Sequence, residues 1–434
     1  MTTHMMSADA DALANGLPPP DSETLERLSV GIDYITDFWV DEYLDKYISL
    51  GGSKIKFITG GAGSGKTHCL RLFLADAEQR GYKTALISAD EVWISDFKEI
   101  YAAVLAAVDL PGCLERCAMW IVGEMGYGAG DIPEGSTFAD YLSSLGRFDP
   151  LTRRELRERI VEYFLKNPRI DNNFALACSI ITGDMLGYPT LDASGREILS
   201  DWLAGVKGVR MAAVRKLGLS PVKITKYNAR HMLRSLVEIV RSAGYAGLVV
   251  GADKLDELLC APESARLRYT KLRREDAYES IRELIDDIDT QSHTMFIFAF
   301  DRALIDDESA GLKSYQALWM RIQNEIDGAL FNRFADIVDL DGLARQMYAP
   351  GTLVEMSRRL AAFMREQGVP AEDIDLSLAE ELREQSSVSP LSLPRRVNRL
   401  TLLNNSFVGT LDETADEAEA ISNEAAPNGG TPDE

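Results

Sequence analysis

The chain has 434 residues, enough for two or three domains, and 46% of them are hydrophobic, an ordinary share for a globular protein. Its formal net charge of -22 argues against general binding of polyanions but leaves room for local basic patches. The N-terminal residues are polar and Pro-rich, unlike a signal peptide, and no apolar run reaches transmembrane length, so we expect a cytoplasmic protein without membrane contact.

The five cysteines contain no C-x-x-C pair. A structural zinc ion needs four nitrogen or sulfur ligands, and four scattered histidines do not complete such a set. We therefore expect reduced, mostly buried thiols and no zinc.

In chain order, residues 1–21 are predicted to be disordered, because they are polar and end in three prolines. Residues 22–49 are predicted to be helical from apolar side chains at three- to four-residue spacing: Leu25, Leu28, Ile32, Ile35 and Trp39. A short apolar run at residues 55–58 predicts the first strand, and residues 68–78 predict the helix that follows.

The loop between this strand and helix, residues 60–67, matches the pattern G-x-x-x-x-G-K-[ST]. Glycines let successive backbone N–H groups turn toward one anion, and the helix N-terminus adds positive potential there. In such a loop Lys66 reaches the β- and γ-phosphates and the Thr67 hydroxyl ligates Mg²⁺. A glycine-rich turn without a ligand is the weaker alternative. We predict a nucleoside triphosphate site formed by Gly60, Gly61, Ala62, Gly63, Ser64, Gly65, Lys66, Thr67 and His68.

Four further runs predict strands: residues 83–88, 247–252, 294–300 and 335–340. Strands that alternate with helices predict an α/β fold with a doubly wound parallel sheet. Lys66 and Asp253 stand about 190 residues apart, far more than the ~30 residues of a strand–helix–strand unit. We therefore predict an inserted helical subdomain. The predicted order is a disordered N-terminus (1–21), the first part of the core (22–108), the insertion (109–242), the second part of the core (243–345), a helical lid (346–408) and a disordered acidic tail (409–434).

Two features stand out within the insertion. Residues 152–155, Thr-Arg-Arg-Glu, predict a capping box at the start of a helix. Residues 206–241 contain a single acidic residue, Glu238, and nine basic ones: Lys207, Arg210, Arg215, Lys216, Lys223, Lys226, Arg230, Arg234 and Arg241. This segment is interpreted either as a contact for nucleic acid or an acidic partner, or as a solvated helix face; the shortage of aromatic residues favours the second interpretation.

The acidic residues after the third predicted strand are the candidates for chemistry. Asp253 ends this apolar run, where an NTPase holds Mg²⁺ through water, although a strand-end Asp can also cap a turn. A water-activating Glu commonly follows, but the next residue is Lys254, and a cation cannot accept a proton. Asp256 and Glu257 are the alternative bases. Without them, hydrolysis is slow or absent and the protein is a nucleotide-gated switch.

Arginines near the last predicted strand and in the lid are further candidates. Arg333 could reach the γ-phosphate of a neighbouring subunit, which requires a homo-oligomer. Arg395 or Arg396 could sense the nucleotide within the same chain. Each of these arginines could instead form a surface ion pair. At the end of the fourth strand, Asp301 and Arg302 replace the neutral residue that usually orients water.

Together these motifs resemble the ATP-binding proteins of bacteriophage exclusion (BREX) systems, the BrxD type most closely, which are AAA+-like. The resemblance covers roughly residues 22–405 and is carried by residues 28–31, 63–68, 99–101, 226–230, 244–248 and 332–340. It implies a cytoplasmic prokaryotic ATPase that acts with other defence proteins against phage.

Position by position, the resemblance implies that Lys66, Thr67 and Asp253 hold ATP and Mg²⁺ and that Arg333 is the arginine of a late motif. The chain departs from the family at Lys254, where the family pattern has Asp-Glu. Turnover is therefore in question, whereas ATP binding is not. Three hypotheses follow: an AAA+-like ATPase that assembles with partner proteins, a catalytically degenerate scaffold held by ATP, and a DNA-loading or remodelling factor.

Overall fold

In the computed structural model of the protein, the described residues are Leu13 and residues 17–19, 21–259, 266–323, 335–387 and 391–402. The strands are β1 Ser53–Gly60, β2 Lys83–Ser88, β3 Leu248–Asp253, β4 Thr294–Asp301 and β5 Ile337–Asp339. All pairings are parallel, and the strands form one sheet in the order β2–β3–β4–β1–β5. The predicted α/β fold with a parallel sheet is confirmed.

Because the strands are parallel, their carboxyl ends meet at one edge of the sheet, where open α/β folds bind their ligands. The residues paired at this edge are Gly60 with Asp301, Thr59 with Asp339, and Ser88 with Asp253. The sheet therefore brings three strand-end aspartates next to the start of the glycine-rich loop.

The helices that precede β3 are α1 Ser22–Leu28, α2 Asp33–Trp39, α3 Lys66–Gln79, α4 Phe97–Val108, α5 Leu110–Glu124, α6 Phe138–Ser144, α7 Pro150–Leu165, α8 Asn172–Met185, α9 Ala193–Leu203, α10 Met211–Lys216 and α11 Ala229–Ser242. Those that follow β3 are α12 Lys271–Asp286, α13 Ala303–Asp306, α14 Gln316–Ile322, α15 Leu340–Met347, α16 Pro350–Glu366, α17 Leu376–Glu384 and α18 Leu393–Leu402. Within the described ranges, no helix is long and apolar enough to cross a membrane.

The sheet carries a core on each face, because successive strand residues point to opposite sides. Phe296 and Phe298 of β4 belong to a core that continues into α4 to α11, so these helices pack on one face of the sheet. Met295 and Ile297 belong to the second core, with α3, the N-terminal helices and the C-terminal helices α15 to α18. The loop after β1 therefore lies beside the C-terminal helices rather than beside the long helical segment.

The predicted helical structure over residues 22–49 is present, but it is divided into separate helices by a break at residues 29–32. Helix α1 ends at Leu28, and Gly31 has a left-handed backbone with φ +83° before α2 begins. The chain is already extended at Ser29, the C-cap of α1, and a Cβ at Gly31 would lie 2.9 Å from the Tyr348 ring, so a residue with a side chain does not fit there without a shift. A π-helical segment, Val40–Ile48, continues α2.

Two other local predictions are corrected. The capping box at Thr152 is wrong, because α7 begins at Pro150 and its N-cap is Asp149, which accepts the Thr152 N–H at 2.8 Å. An Asp before a first-position Pro is a strong helix start and moves the boundary upstream. The last strand ends at Asp339, and α15 begins at Leu340, because Asp339 accepts N–H groups of the next turn.

The predicted disordered ends fall mainly outside the described residues, and so does Cys260. Leu13 is buried among side chains of α16 and α18, and Asp21 caps α1. Cys69, Cys113, Cys117 and Cys178 are buried free thiols, as expected.

Candidate functional site

The loop between β1 and α3 has the geometry of an anion-binding site. Gly63 and Gly65 have left-handed φ values of +81° and +95°, which turn the backbone into the helix start. Gly65 is the N-cap of α3 and has no side chain to cap the first N–H groups of this helix. These amides and the helix dipole favour a negative charge at that point.

Lys66 is folded back over this loop. Its Nζ donates to the carbonyl oxygens of Gly60 and Gly61 at 2.7 and 2.8 Å. The nearest carboxylate is Asp301, with Oδ2 3.3 Å from Nζ. The ammonium thus lies at the carboxyl edge of the sheet, against neutral carbonyls and one partly exposed carboxylate.

Asp253 ends β3 and is buried, with Oδ1 accepting the N–H of Lys254 at 2.9 Å. Lys254 has a left-handed φ of +55°, and its Nζ donates to Asp90 Oδ2 at 2.6 Å. The Asp90 ion pair raises the pKa of Lys254 further. Lys254, which replaces the expected Glu, therefore forms an ion pair with Asp90, just beyond the end of β2.

The next two acidic residues lie in a 3₁₀ turn, Leu255–Leu258. Asp256 Oδ1 accepts the backbone N–H of Asp301 at 2.8 Å, which places this carboxylate at the end of β4. Burial raises the pKa of Asp256, and the positive charge of Lys66 acts in the opposite direction. Burial and the charges of Asp256 and Asp90 raise the pKa of Glu257.

The two lid arginines have different environments. A Cβ at Gly63 would lie 2.6 Å from Cβ and Cδ of Arg395, so this side chain covers the middle of the glycine-rich loop. Burial and the charge of Arg399 lower the pKa of Arg395. Arg396 is buried instead, and its Nη2 donates to Gln385 at 2.8 Å. Arg333 lies outside the described residues.

A small cleft that opens to solvent borders the loop, with about 90 Å³ of space that water can occupy. The strand–helix loop supplies Gly63, Gly65 and His68, and the other walls come from the N-terminal segment and the lid: Leu13, Leu17, Pro18, Pro19, Leu28, Val30, Ile32, Tyr348, Met356, Leu360, Pro394 and Asn398. This wall is mostly apolar and lies beside the amides at the start of α3.

His68 lies in the wall of this cleft. Its Nε2 is 2.6 Å from Ser29 Oγ, and this hydroxyl donates to the carbonyl of Leu25 at 2.7 Å. The one proton of the Ser29 hydroxyl is used in the bond to Leu25. The proton of the bond between Ser29 and His68 must therefore come from the ring, so Nε2 carries a hydrogen. Burial lowers the pKa of His68 to about 4, and the ring is neutral near pH 7.

A family comparison decides what kind of chain carries this site. The family model of the BREX system ATP-binding protein BrxC/D matches residues 6–420. The chain belongs to the BrxC/D family. This confirms the resemblance found from the motifs and makes the protein an ATP-binding member of a BREX defence system. Neither curated proteins nor solved structures gave a match.

In this BrxC/D chain the edge that holds Lys66 also contains a residue that the sequence reasoning missed. Asp341 Oδ2 accepts the backbone N–H of Gly61 at 2.6 Å, and Oδ1 accepts the hydroxyl of Ser392 at 2.9 Å. The signal was present, because Asp341 closely follows a predicted strand and parallel strands end at one edge. Asp341 is the residue directly after the predicted strand, which spans residues 335–340.

The residues predicted to hold Mg²⁺ are compatible with a water-rich site. No group of three or more His, Cys, Asp or Glu side chains is placed to hold a metal ion in the part of the chain that is described. Mg²⁺ at nucleotide sites keeps several waters and takes one or two protein ligands plus phosphate oxygens. Thr67, at the start of α3, and Asp253, at the end of β3, are the ligands that such a site would use.

The predicted basic segment divides into two groups. Arg230 pairs with Glu283 and Asp287, Arg241 donates to the carbonyls of residues 245 and 246, and Arg234 contacts His231. The other six are exposed and have no ion pair within the described ranges: Lys207, Arg210, Arg215, Lys216, Lys223 and Lys226.

Proposed function

We propose that this BrxC/D protein is an AAA+-like ATPase that binds Mg²⁺ and ATP at the carboxyl edge of its sheet and couples the nucleotide to assembly with other BREX proteins. The observation that carries the proposal is Lys66, whose ammonium lies over a glycine-rich loop, where its partners among the described residues are two carbonyl oxygens and Asp301. Phosphate oxygens are stronger partners for that charge than carbonyls. Such a role belongs to the cytoplasm, where ATP is made.

In this proposal each residue of the edge has a separate task. The amides from Gly63 to Thr67 and Lys66 hold the phosphates, and Thr67 and Asp253 hold Mg²⁺, Asp253 through water. Arg395 adds a positive charge from the lid side of the loop. The apolar cleft next to His68 takes the nucleoside.

Asp256 is the base that we propose for the attacking water. Its carboxylate is held at the end of β4 by the N–H of Asp301, near Lys66. A raised pKa makes a carboxylate a better proton acceptor. Glu257 is influenced instead by Asp90 and Lys254, on the side of β2.

The test is to measure ATP affinity by calorimetry and phosphate release at steady state for the wild type and Lys66→Ala. The matched control is Lys46→Ala, because Lys46 is an exposed lysine paired with Glu42 on the π-helical segment. We expect Lys66→Ala to abolish turnover and the control to match the wild type. A wild type that does not bind ATP would overturn the proposal.

A nucleotide-held scaffold is the second candidate, favoured by Lys254 at the position of the usual base. In this case the wild type binds ATP tightly without turnover, and Lys254→Glu restores some phosphate release. Turnover that persists in the wild type and disappears in Asp256→Asn excludes the scaffold.

Assembly is the part of the proposal that concerns partners. If Arg333 acts on the nucleotide of a neighbour, ATP must promote a homo-oligomer, which light scattering with and without ATP measures. A monomer in every nucleotide state removes the role of Arg333 in a neighbouring site. Assembly with other BREX proteins is then tested separately, by adding each to the ATP-bound protein.

DNA contact is a further candidate, because the six exposed cations from Lys207 to Lys226 stand in a stretch without any acidic residue. Contact with phosphates predicts binding that weakens steeply with salt. Reversing Lys207, Arg210 and Lys223 to Glu should abolish it, whereas reversing Arg154 and Arg358, which are exposed but paired, should not. No binding at low salt removes this candidate.

A further inference from the structure

The Asp341 carboxylate joins three separate parts of the protein. Asp341 is the second residue of α15, directly after the edge strand β5. One of its oxygens accepts the N–H of Gly61 in the glycine-rich loop, and the other accepts the hydroxyl of Ser392. A carboxylate accepts stronger hydrogen bonds than a neutral oxygen, so this bridge is a firm link between loop and lid.

Asp341 is not needed to start its own helix. Asp339 is the N-cap of α15 and accepts the N–H groups of Asp341 and Gly342 at 3.1 and 3.2 Å. Both oxygens of Asp341 are therefore directed at residues distant in sequence. A role confined to helix capping does not explain this geometry.

Ser392 stands at the lid end of the bridge, one turn before the arginine that covers the loop. Its side chain is buried, and its carbonyl accepts the N–H of Arg396, the first bond of α18. Fixing Ser392 therefore fixes the start of the helix that carries Arg395. Because Gly61 and Gly63 belong to the same loop, the bridge sets the distance between Arg395 and Gly63.

We propose that Asp341 and Ser392 are positioning residues that latch α18 to the loop and hold Arg395 over Gly63 before the nucleotide binds. The proposal rests on the nucleotide site proposed above for its effect on ATP, but the latch itself is made of protein groups alone. The Gly61 amide is occupied by the protein, so the phosphates depend on the later amides and on Arg395. Pre-organising the arginine lowers the cost of ordering it on binding.

The first experiment measures amide hydrogen exchange of the nucleotide-free, full-length protein. Ser392→Ala should increase exchange in residues 393–400 at least threefold and leave Gly61 protected, whereas Asp341→Ala should increase exchange in both places. The matched control is Ser386→Ala, which removes another lid serine, one whose hydroxyl donates within the described residues to the nearby carbonyl of Arg383. Unchanged exchange in Ser392→Ala would overturn the latch.

The second experiment measures ATP affinity in a double-mutant cycle. Ser392→Ala should weaken ATP binding about fivefold, and Ser392→Thr, which keeps the hydroxyl, should restore most of it. If Ser392 acts through Arg395, Ser392→Ala should have no further effect in the Arg395→Ala background. Additive losses in the cycle, or wild-type affinity in Ser392→Ala, would refute the positioning role even when ATP binds. A wild type that binds no ATP refutes the proposed function, and the exchange experiment still decides the latch.

Discussion

Lys254 donates a hydrogen bond from Nζ to Asp90 Oδ2 at 2.6 Å, across the ends of β3 and β2. The left-handed backbone of Lys254 makes this contact, because it turns the chain sharply after Asp253. The next carboxylate, Asp256, is then bonded to the N–H of Asp301 at the end of β4. Asp256, three positions after Asp253, is therefore the residue that we propose for the role of the usual Glu.

This arrangement predicts that Asp256, not Lys254, controls hydrolysis. Asp256→Asn should lower the rate of phosphate release by about 10²- to 10⁴-fold, the usual contribution of a general base, with little change in ATP affinity. Lys254→Ala should change the rate by less than about threefold, because its side chain pairs with Asp90. Glu257→Gln is the comparison for a neighbouring acid. A rate for Asp256→Asn equal to that of the wild type would exclude Asp256 as the base.

Of the two adjacent arginines of α18, we expect Arg395 to contribute to ATP binding and Arg396 to the stability of the fold. Arg395→Ala should weaken ATP binding about tenfold, because hydrogen bonds to charged groups contribute roughly 1.5–3 kcal/mol. Arg396→Ala should lower the free energy of unfolding by about 1–3 kcal/mol without changing the affinity of the folded protein, since it removes a buried side chain bonded to Gln385. Calorimetric titration and denaturant unfolding measure the two quantities. An Arg396→Ala variant that folds stably but loses ATP would reverse the assignment.

Most of the features that the sequence predicts come from local sequence patterns. The strand runs and the glycine-rich loop were found because apolar strands and the loop motif are continuous in sequence. The sequence alone does not show which of Arg395 and Arg396 covers the glycine-rich loop. This depends on how α18 is rotated about its own axis relative to Gly63. The Asp341 bridge joins residues 61, 341 and 392, and no local pattern relates them. The close approach of Gly31 and the Tyr348 ring likewise joins residues more than 300 positions apart.

The contact between Gly31 and Tyr348 can be tested against a glycine with the same backbone. Gly31 and Gly126 both have φ +83°, but an added Cβ at Gly126 meets nothing within 4 Å. Both Ala variants should lose about 1–2 kcal/mol from the left-handed backbone, and Gly31→Ala should lose a further ~1–3 kcal/mol from overpacking. Equal losses in the free energy of unfolding for the two variants would show that the Tyr348 ring moves aside without a cost in free energy. Gly31→Ala should also weaken ATP binding, because Tyr348 lines the cleft, whereas Gly126→Ala should not.

The neutral His68 ring should make stability depend on pH in a defined window. Its pKa is about 4 in the folded protein and about 6.5 when unfolded, so the unfolded chain binds the proton first as the pH falls. The contribution of His68 is then fully present above pH 6.5 and is lost as the pH falls from 6.5 to 4, by up to about 2 kcal/mol at pH 5.

The measurement is denaturant unfolding of the wild type and His68→Gln at pH 7.5 and pH 5. The wild type should lose about 2 kcal/mol more than the variant between these values, because Gln does not titrate and the many carboxylates cancel in the comparison. His231→Gln is the control, since the His231 ring is more exposed than that of His68 and its pKa is also lowered. An equal loss in wild type and His68→Gln would mean that His68 becomes protonated in the folded protein, and the hydrogen bond from Nε2 to Ser29 would then not require a neutral ring.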